Sequence, residues 1–473
     1  MIRRDCRSAR VRKCVTRTQA ANGFRRAEII PNADEVKTNQ SGIRRDFAIL
    51  FTVMLITGAG NTALQSVLPA IGRSIGVPDS VIAAVFSVSA LVWVFSAPYW
   101  ARRSEKQGRR NMVILGISGF TVSTALVAGI LLIGLFGWLN PIVTMLCVIA
   151  ARVIYGSFGS AAPPAAQAIV ALTTTREERV RALTMLGSAF GLGTILGPAL
   201  APYLVFPGVG LAGPAMVFAL LGLTTVIVSA RWLPADTAGE TSVARGATVS
   251  YPSIGGAPAG ASVTAATAGK AGVSLKLRDA RIWPWMFAGL VNGHAQAMTG
   301  AAMGFLVIDR LHLPATELAT QQAIGLVLMS GAGAALLVQW GLIPLLNMAP
   351  RAMMISGLVV AGLGLLGTAN ATSLYGIATG YALSSMGFGF TRPSFTAGSS
   401  LAVGRRLQGL VAGHVTSING ASFVLGPTIG VGLYEVWRPL PFLVAAAVLV
   451  LMIPYALARL IPSNLEESPS PER

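Results

Sequence analysis

The chain alternates long apolar runs with short polar clusters along most of its length. About 20 apolar residues wound as a helix cross a hydrocarbon core. Twelve runs approach or exceed that length: Ile49 to Ala70, Val81 to Ala101, Met112 to Trp138, Ile142 to Ala171, Ala182 to Phe206, Ala212 to Ala230, Trp285 to Ile308, Ala319 to Leu346, Ala352 to Ala369, Leu374 to Ala402, Leu410 to Val436 and Leu440 to Leu457. The pattern predicts an all-α integral membrane protein with twelve transmembrane helices. Between the sixth and seventh runs lies ADTAGETSVARGATVSYPSIGGAPAGASVTAATAGKAGVSLK, whose low complexity and polarity read as a disordered linker. The expected organisation is a basic, disordered tail over 1–45, a six-helix bundle over 46–232, a linker over 233–282, a second bundle over 283–461 and a tail over 462–473.

Composition agrees with a bilayer as the solvent. Hydrophobic residues make up 53% of the chain and charged residues 11%, with a mean hydropathy of +0.65, which excludes an ordinary soluble domain. The formal net charge of +18 would suggest a nucleic-acid partner if the basic residues shared one surface. They do not: 31 of the 36 Lys and Arg fall in the tails, the linker and alternate loops, and only Arg73, Arg310 and Arg438 fall in the other loops. By the positive-inside rule this places both termini and the linker in the cytoplasm, in a plasma or inner membrane. The charge therefore reports topology, with attraction to anionic lipid a secondary effect, and no nucleic acid is implied.

The first 45 residues contain no apolar segment of the kind that marks a signal peptide, so the tail is expected to remain, a transit peptide or an overlong gene model being the alternatives. Cys6, Cys14 and Cys147 have neither CxxC nor zinc spacing. No metal or cofactor is expected, and an intramembrane enzyme would need paired acids or HExxH, neither of which occurs.

The fourth and fifth runs can be laid on the tenth and eleventh. Pro198 in ILGPALA follows Pro164 at the same spacing as Pro427 in VLGPTIG follows Pro393, and Gly191 matches Gly420. Likewise GRRNMVILG at 108–116 resembles APRAMMISG at 349–357. Two homologous six-span halves in one orientation are the organisation of a rocking secondary transporter.

Residues SAPYWARRSEKQGRR, between the second and third runs, resemble the loop signature G-x-L-A-D-R-x-G-R-R/K of the major facilitator superfamily. Ala101 stands at its first Gly, Glu105 at its Asp and Lys106 at its Arg, while Gly108, Arg109 and Arg110 match. The resemblance covers roughly residues 46 to 460 and implies two pseudo-symmetric bundles acting by alternating access, with this loop as a gating latch. A loop that merely holds charge inside explains the arginines but not their order around Glu105 and Gly108. In the fourth run ARVIYGSFGS resembles R-x-x-Q-G, with Arg152 and Gly156 matching and Tyr155 at the Gln. In the fifth, GTILGPALAP resembles the antiporter signature G-x-x-x-G-P-x-x-G-G, with Gly193, Gly197 and Pro198 matching and Ala201 and Pro202 replacing the last pair. Ordinary small-residue packing is the alternative for each motif. Together they resemble the twelve-span drug:proton antiporter branch, which implies efflux of a small-molecule substrate, with multidrug resistance as its setting, a proton as coupling ion and a monomer as the working unit.

Ionisable groups inside a membrane are functional candidates by default. None of the 18 acidic residues lies in the middle of a run; Asp46, Asp309 and Glu435 come nearest. Antiporters of this branch often place a carboxylate in span 1, where this chain has Asn61 and Gln65. Arg152 and Arg392 sit within equivalent runs, which the resemblance places around a shared cavity, and are candidates for holding an anionic or zwitterionic substrate. Helix positioning or proton coupling by Arg152, and bonding of carbonyls freed by Pro393 for Arg392, stand beside that reading. His294, between Asn292 and Gln296, is a candidate proton-coupling group or a packing residue. Gln321 and Asn419 are further candidates for the cavity wall, or for helix bridging. Export by proton exchange leads; a facilitator or importer on the same fold is the alternative, favoured by the missing carboxylate.

Overall fold

The computed structural model describes residues 33–174, 176–234, 275–403 and 407–460. The linker and tail expectations for 1–32, 235–274 and 461–473 lie outside them. Fourteen α-helices are described: α1 (Ala33–Ile75), α2 (Asp79–Gln107), α3 (Arg109–Leu135), α4 (Pro141–Phe158), α5 (Ala162–Thr173), α6 (Arg176–Leu200), α7 (Gly213–Trp232), α8 (Trp283–Leu311), α9 (Leu318–Leu337), α10 (Ile343–Leu346), α11 (Pro350–Asn370), α12 (Leu374–Leu401), α13 (Gln408–Val436) and α14 (Leu440–Arg459). They make twelve passes. A 3-10 turn, Gly159–Ala161, joins α4 to α5 in one pass, and a π-helical segment, Val338–Leu342, joins α9 to α10 in another.

Nine passes are long and apolar enough to cross a membrane by length and composition alone. The other three, α8, α12 and α13, have 29, 28 and 29 residues and ample length. Their apolar character is diluted by Asn292, His294 and Gln296, by Arg392, and by His414 and Asn419. The three least apolar passes thus carry most of the candidate chemistry of the second half. α1 also begins at Ala33, ahead of the boundary at 46 expected from hydropathy, because the polar segment before Asp46 continues the same helix.

Local sequence explains the breaks. Gly108, at φ 87°, occupies the left-handed region that favours glycine and separates α2 from α3. Asn140 accepts from the Ile142 N–H and Pro141 occupies the first turn of α4, a start signal in which the missing N–H costs nothing. Ser373 caps α12 in the same manner through the Gly376 N–H.

In the first half α3 packs on α4 and α7, and α2 on α4; in the second, α12 packs on α11 and α9, α8 on α13, and α14 on α11. Lipid supplies no hydrophobic drive between helices, so close backbone approach must hold them. Glycines provide it: Gly116 abuts Ala162, Gly387 abuts Ala361, and Gly364 abuts Ser384. Among the described residues the halves meet along α2 with α13 and α6 with α9, and Pro69 of α1 abuts Gly304 of α8.

One pair of hydrogen bonds expresses the internal repeat. Arg110, at the start of α3, donates to the Ala230 carbonyl near the end of α7. Arg351, its counterpart at the start of α11, donates to the Leu457 carbonyl near the end of α14. In each half a guanidinium from the third pass satisfies a free carbonyl at the last pass's C-terminus, where the helix dipole also favours a cation.

Candidate functional site

The middle of the first half is organised by Arg152. Its side chain projects from α4 and is 2% exposed. One terminal nitrogen donates to Asn61 Oδ1 of α1 at 2.6 Å, and the guanidinium stands over the Tyr155 ring at 4.4 Å and the Phe86 ring at 5.7 Å. Nε is buried with no partner among the described residues. Asn61, at the level where a span 1 carboxylate was sought, therefore offers the arginine a neutral acceptor, and two aromatic faces supply the remaining negative potential. Tyr155, where the resemblance expects Gln, is part of this arrangement, and it also packs its ring against Trp93 and Phe120.

Arg392 differs. It is 9% exposed on α12, and one terminal nitrogen is buried with no partner among the described residues. Its neighbours along the helix show where it lies. Gly389 abuts Val338 at the end of α9, and Gly289 of α8 abuts Phe395. Arg392 falls between those two contact lines by helical phase, on the stripe that also carries Ser385 and Tyr381. Pro393 sits within an unbroken α12, whereas its counterparts Pro163 and Pro164 follow the 3-10 turn that splits α4 from α5.

The two arginines are not brought together. The proline alignment that relates the halves sets Tyr381, not Arg392, opposite Arg152. Arg152 lies about 16 Å along its pass from Pro141, and Arg392 about 27 Å along α12 from Leu374, at 1.5 Å per residue. They occupy equivalent passes at different depths, and Arg392 is nearer the arginine-rich end.

Of the other candidates, Asn292 is buried with its carbonyl oxygen unpartnered among the described residues, and Gln65 and Gln296 are buried. His294 Nδ1 lies 2.9 Å from the Leu290 carbonyl one turn back, an acceptor for a proton on Nδ1. Asn419 is half-buried on α13. Gln321 is placed near a pass end, where it donates to Ala315 O at 3.2 Å.

The motif residues act as packing elements. A methyl added at Gly193 would stand 2.8 Å from Ala59 N, and one at Gly197 2.8 Å from Ala63 N, each closer still to an α1 carbonyl. Bare glycines thus let α6 lie directly on α1. Pro198 follows, and its carbonyl abuts Gly325 of α9 in the other half. In the loop signature, Arg109 is buried and Arg110 bonds within its own half. The side chains of Ala101, Glu105 and Lys106 lie outside the described residues.

A second polar cluster, at the arginine-poor end, was not singled out by sequence. Arg73 of α1 pairs with Asp79 of α2 at 2.5 and 2.7 Å and with Asp309 of α8 at 3.2 Å through two nitrogens. Asp309 also accepts from Tyr434 at 2.6 Å and pairs with Arg438 at 3.3 Å. Glu435 accepts from the Ser80 N–H at 2.8 Å, and Thr428 donates to Ser87 at 2.8 Å. The signal was available: the few basic residues of that end share loops and pass ends with Asp79, Asp309 and Glu435. At the opposite end, on the approach to α8, Arg281 donates to Asp279 from its backbone and its guanidinium and holds that carboxyl down to about 2.

Comparison with known proteins follows from this architecture. The Major Facilitator Superfamily model matches residues 50–413. Tetracycline resistance protein, class B, of Escherichia coli is 27% identical over 193 residues, 39% of this chain and 43% of its own. The class D protein of Salmonella ordonez is 29% identical over 190 residues, 38% of this chain and 43% of its own. Multidrug resistance protein 2 of Bacillus subtilis (strain 168) is 24% identical over 183 residues, 39% and 42% of the two chains. The chain therefore spans less than half the length of these curated relatives. Among solved structures, the human organic anion transporter MFSD10 (TETRAN) superposes with a TM-score of 0.57 at 19% identity, over 88% of this chain and 99% of its own. A mutant of the nucleoside transporter NupG gives 0.61 at 11% identity, over 87% and 98%. At these identities the solved structures speak for the fold.

Proposed function

Because the chain belongs to the Major Facilitator Superfamily, a family of transporters and not of enzymes, we propose that it is a proton-coupled exporter of a small organic solute. It is a multi-pass membrane protein, and its substrates are small molecules taken up within the membrane. Its two bundles, 46–232 and 283–461, rock about a central cavity by alternating access, as a monomer, in the plasma or inner membrane with both termini cytoplasmic. Efflux is favoured by the relatives, two of which are named for tetracycline resistance and one for multidrug resistance.

The observation that carries the substrate reading is the unpartnered guanidinium nitrogen of Arg392, in a chain with no carboxylate in the middle of any expected span. A buried cation needs a counter-charge, and here the solute supplies it. The substrate is accordingly anionic or zwitterionic. Arg152, already held by Asn61, positions α1 against α4 and lies at the same time beside the cavity. His294 carries the exchanged proton, and Gln65, Asn292, Gln296 and Asn419 shape the wall.

A second reading, a facilitator or importer on the same fold, is favoured by the neutral Asn61–Arg152 pair, which offers no titrating acid in α1. Everted vesicles with an acid interior separate the two. Anionic compounds should provoke proton release that Arg392→Ala abolishes, and His294→Ala, which removes the proposed proton carrier, should abolish it as well. Uptake of the same compounds with no proton release would establish the facilitator.

A further inference from the structure

We propose that the cluster around Arg73 and Asp309 is an exchange gate, in which the two charges paired across the halves at the arginine-poor end, Arg73 and Asp309, each keep a partner in their own half when the halves part. Among the described residues, cross-half ties include Arg73 with Asp309, the Arg73 guanidinium over the Phe305 ring at 5.8 Å, the Ser80 N–H with Glu435, and Thr428 with Ser87. All lie toward one end, where α1 and α2 finish and begin and α8 and α13 finish, so this end is closed in the structure.

Opening such a seal ordinarily strands charges. A pair broken by removal of one partner leaves the other uncompensated, at a cost of several kcal/mol when buried. Here the geometry avoids that. Arg73 is bound more closely to Asp79, at 2.5 and 2.7 Å within the first half, than to Asp309, at 3.2 Å across the seam. Asp309, 8% exposed at its side chain, retains Tyr434 at 2.6 Å and Arg438 at 3.3 Å, both on or just after α13 in its own half. When the halves separate, Arg73 leaves with Asp79, and Asp309 stays with Tyr434 and Arg438. Glu435 is exposed, so it and the Ser80 N–H pass to water. The seam is held by the looser member of a shared pair, and parting it costs no more than a partly exposed ion pair.

Asp79 and Asp309 are thus positioning residues that compete for Arg73, and their removal has opposite effects. Without Asp309 the seam loses its tie. Without Asp79 the guanidinium is given wholly to Asp309, and the seam tightens. Arg438 competes with Arg73 for Asp309 and belongs with Asp79. A cluster that merely stabilised the fold would weaken with either loss.

The test uses the full chain with Cys6, Cys14 and Cys147 replaced by serine and with Ser87→Cys and Thr428→Cys introduced, two positions whose hydroxyls now touch. The rate of disulfide formation under copper phenanthroline, in lipid nanodiscs, reads how much of the time this end is closed. Asp309→Asn and Arg73→Gln should slow it about fivefold, the worth of one partly exposed pair. Asp79→Asn and Arg438→Gln should form the bridge at least as fast as the parent. Slowing by Asp79→Asn comparable to that by Asp309→Asn, or an unchanged rate in Asp309→Asn, overturns the gate. Tryptophan fluorescence unfolding of each variant separates a shifted seam from a failed fold, since only the former preserves the parent's midpoint.

Discussion

Gly197 and Gly187 lie on the same helix, α6, and their replacement by alanine should move stability in opposite directions. A methyl at Gly197 would stand 2.8 Å from Ala63 N and closer to the Ala59 carbonyl and the Thr62 hydroxyl. Ordinary contacts of carbon with a polar backbone atom lie at about 3.3–3.6 Å, so α1 and α6 must separate by roughly 0.5 Å or more. Two of the obstructing atoms are backbone, with no rotamer to yield, and overpacking of this kind costs about 1–3 kcal/mol. At Gly187 a methyl meets nothing within 4 Å. There the substitution only removes the entropic penalty of glycine in a helix, a gain of about 0.5–1 kcal/mol. Thermal unfolding in nanodiscs, followed by tryptophan fluorescence at one fixed scan rate, should rank Gly187→Ala at or above the parent and Gly197→Ala clearly below it. Transport should fall with Gly197→Ala alone, since α6 also carries Pro198 to the seam with α9. Equal midpoints for the two variants would refute the argument that the antiporter-like motif acts here through backbone approach.

Asn61→Ala removes the oxygen that Arg152 uses and leaves a buried charged donor unsatisfied, so unfolding stability should drop by about 1–3 kcal/mol, whereas Asn61→Asp, which keeps an acceptor, should retain it. Equal losses in the two would contradict the hydrogen bond as the cause. Arg110→Gln and Arg351→Gln each uncover a helix-terminal carbonyl in equivalent places, so both should lower the midpoint by similar amounts, of order 0.5–2 kcal/mol, and a large effect from one alone would deny the equivalence.

Most of the helices were legible because each pass must satisfy its own backbone and present apolar residues to lipid, which leaves a long apolar run in the sequence. The same rule explains which passes hydropathy marks weakly: α8, α12 and α13 carry Asn292, Arg392 and Asn419, which are buried or half-buried within the protein and so are not forbidden by lipid. The split of the fourth pass at Gly159–Ala161 was hidden, because a 3-10 turn keeps the apolar run intact. Arg152 was legible as an intramembrane charge, but its partner was not, since Asn61 is 91 positions away and a neutral amide gives no charge signal. The Arg73 cluster draws on α1, α2, α8 and α13, and only the superposition of pass ends in three dimensions shows that its charges share one seam. Arg110 and Arg351 lie between these cases: the repeat was visible in sequence, while its purpose, capping the last helix of each half, appeared only with the fold.

The central claim is that the two halves part and close in turn at opposite ends. It is tested most directly by locking one end. In proteoliposomes, the Ser87→Cys and Thr428→Cys protein should transport when reduced, stop when its disulfide is formed, and recover on reduction. Full transport by a completely cross-linked protein would contradict the account.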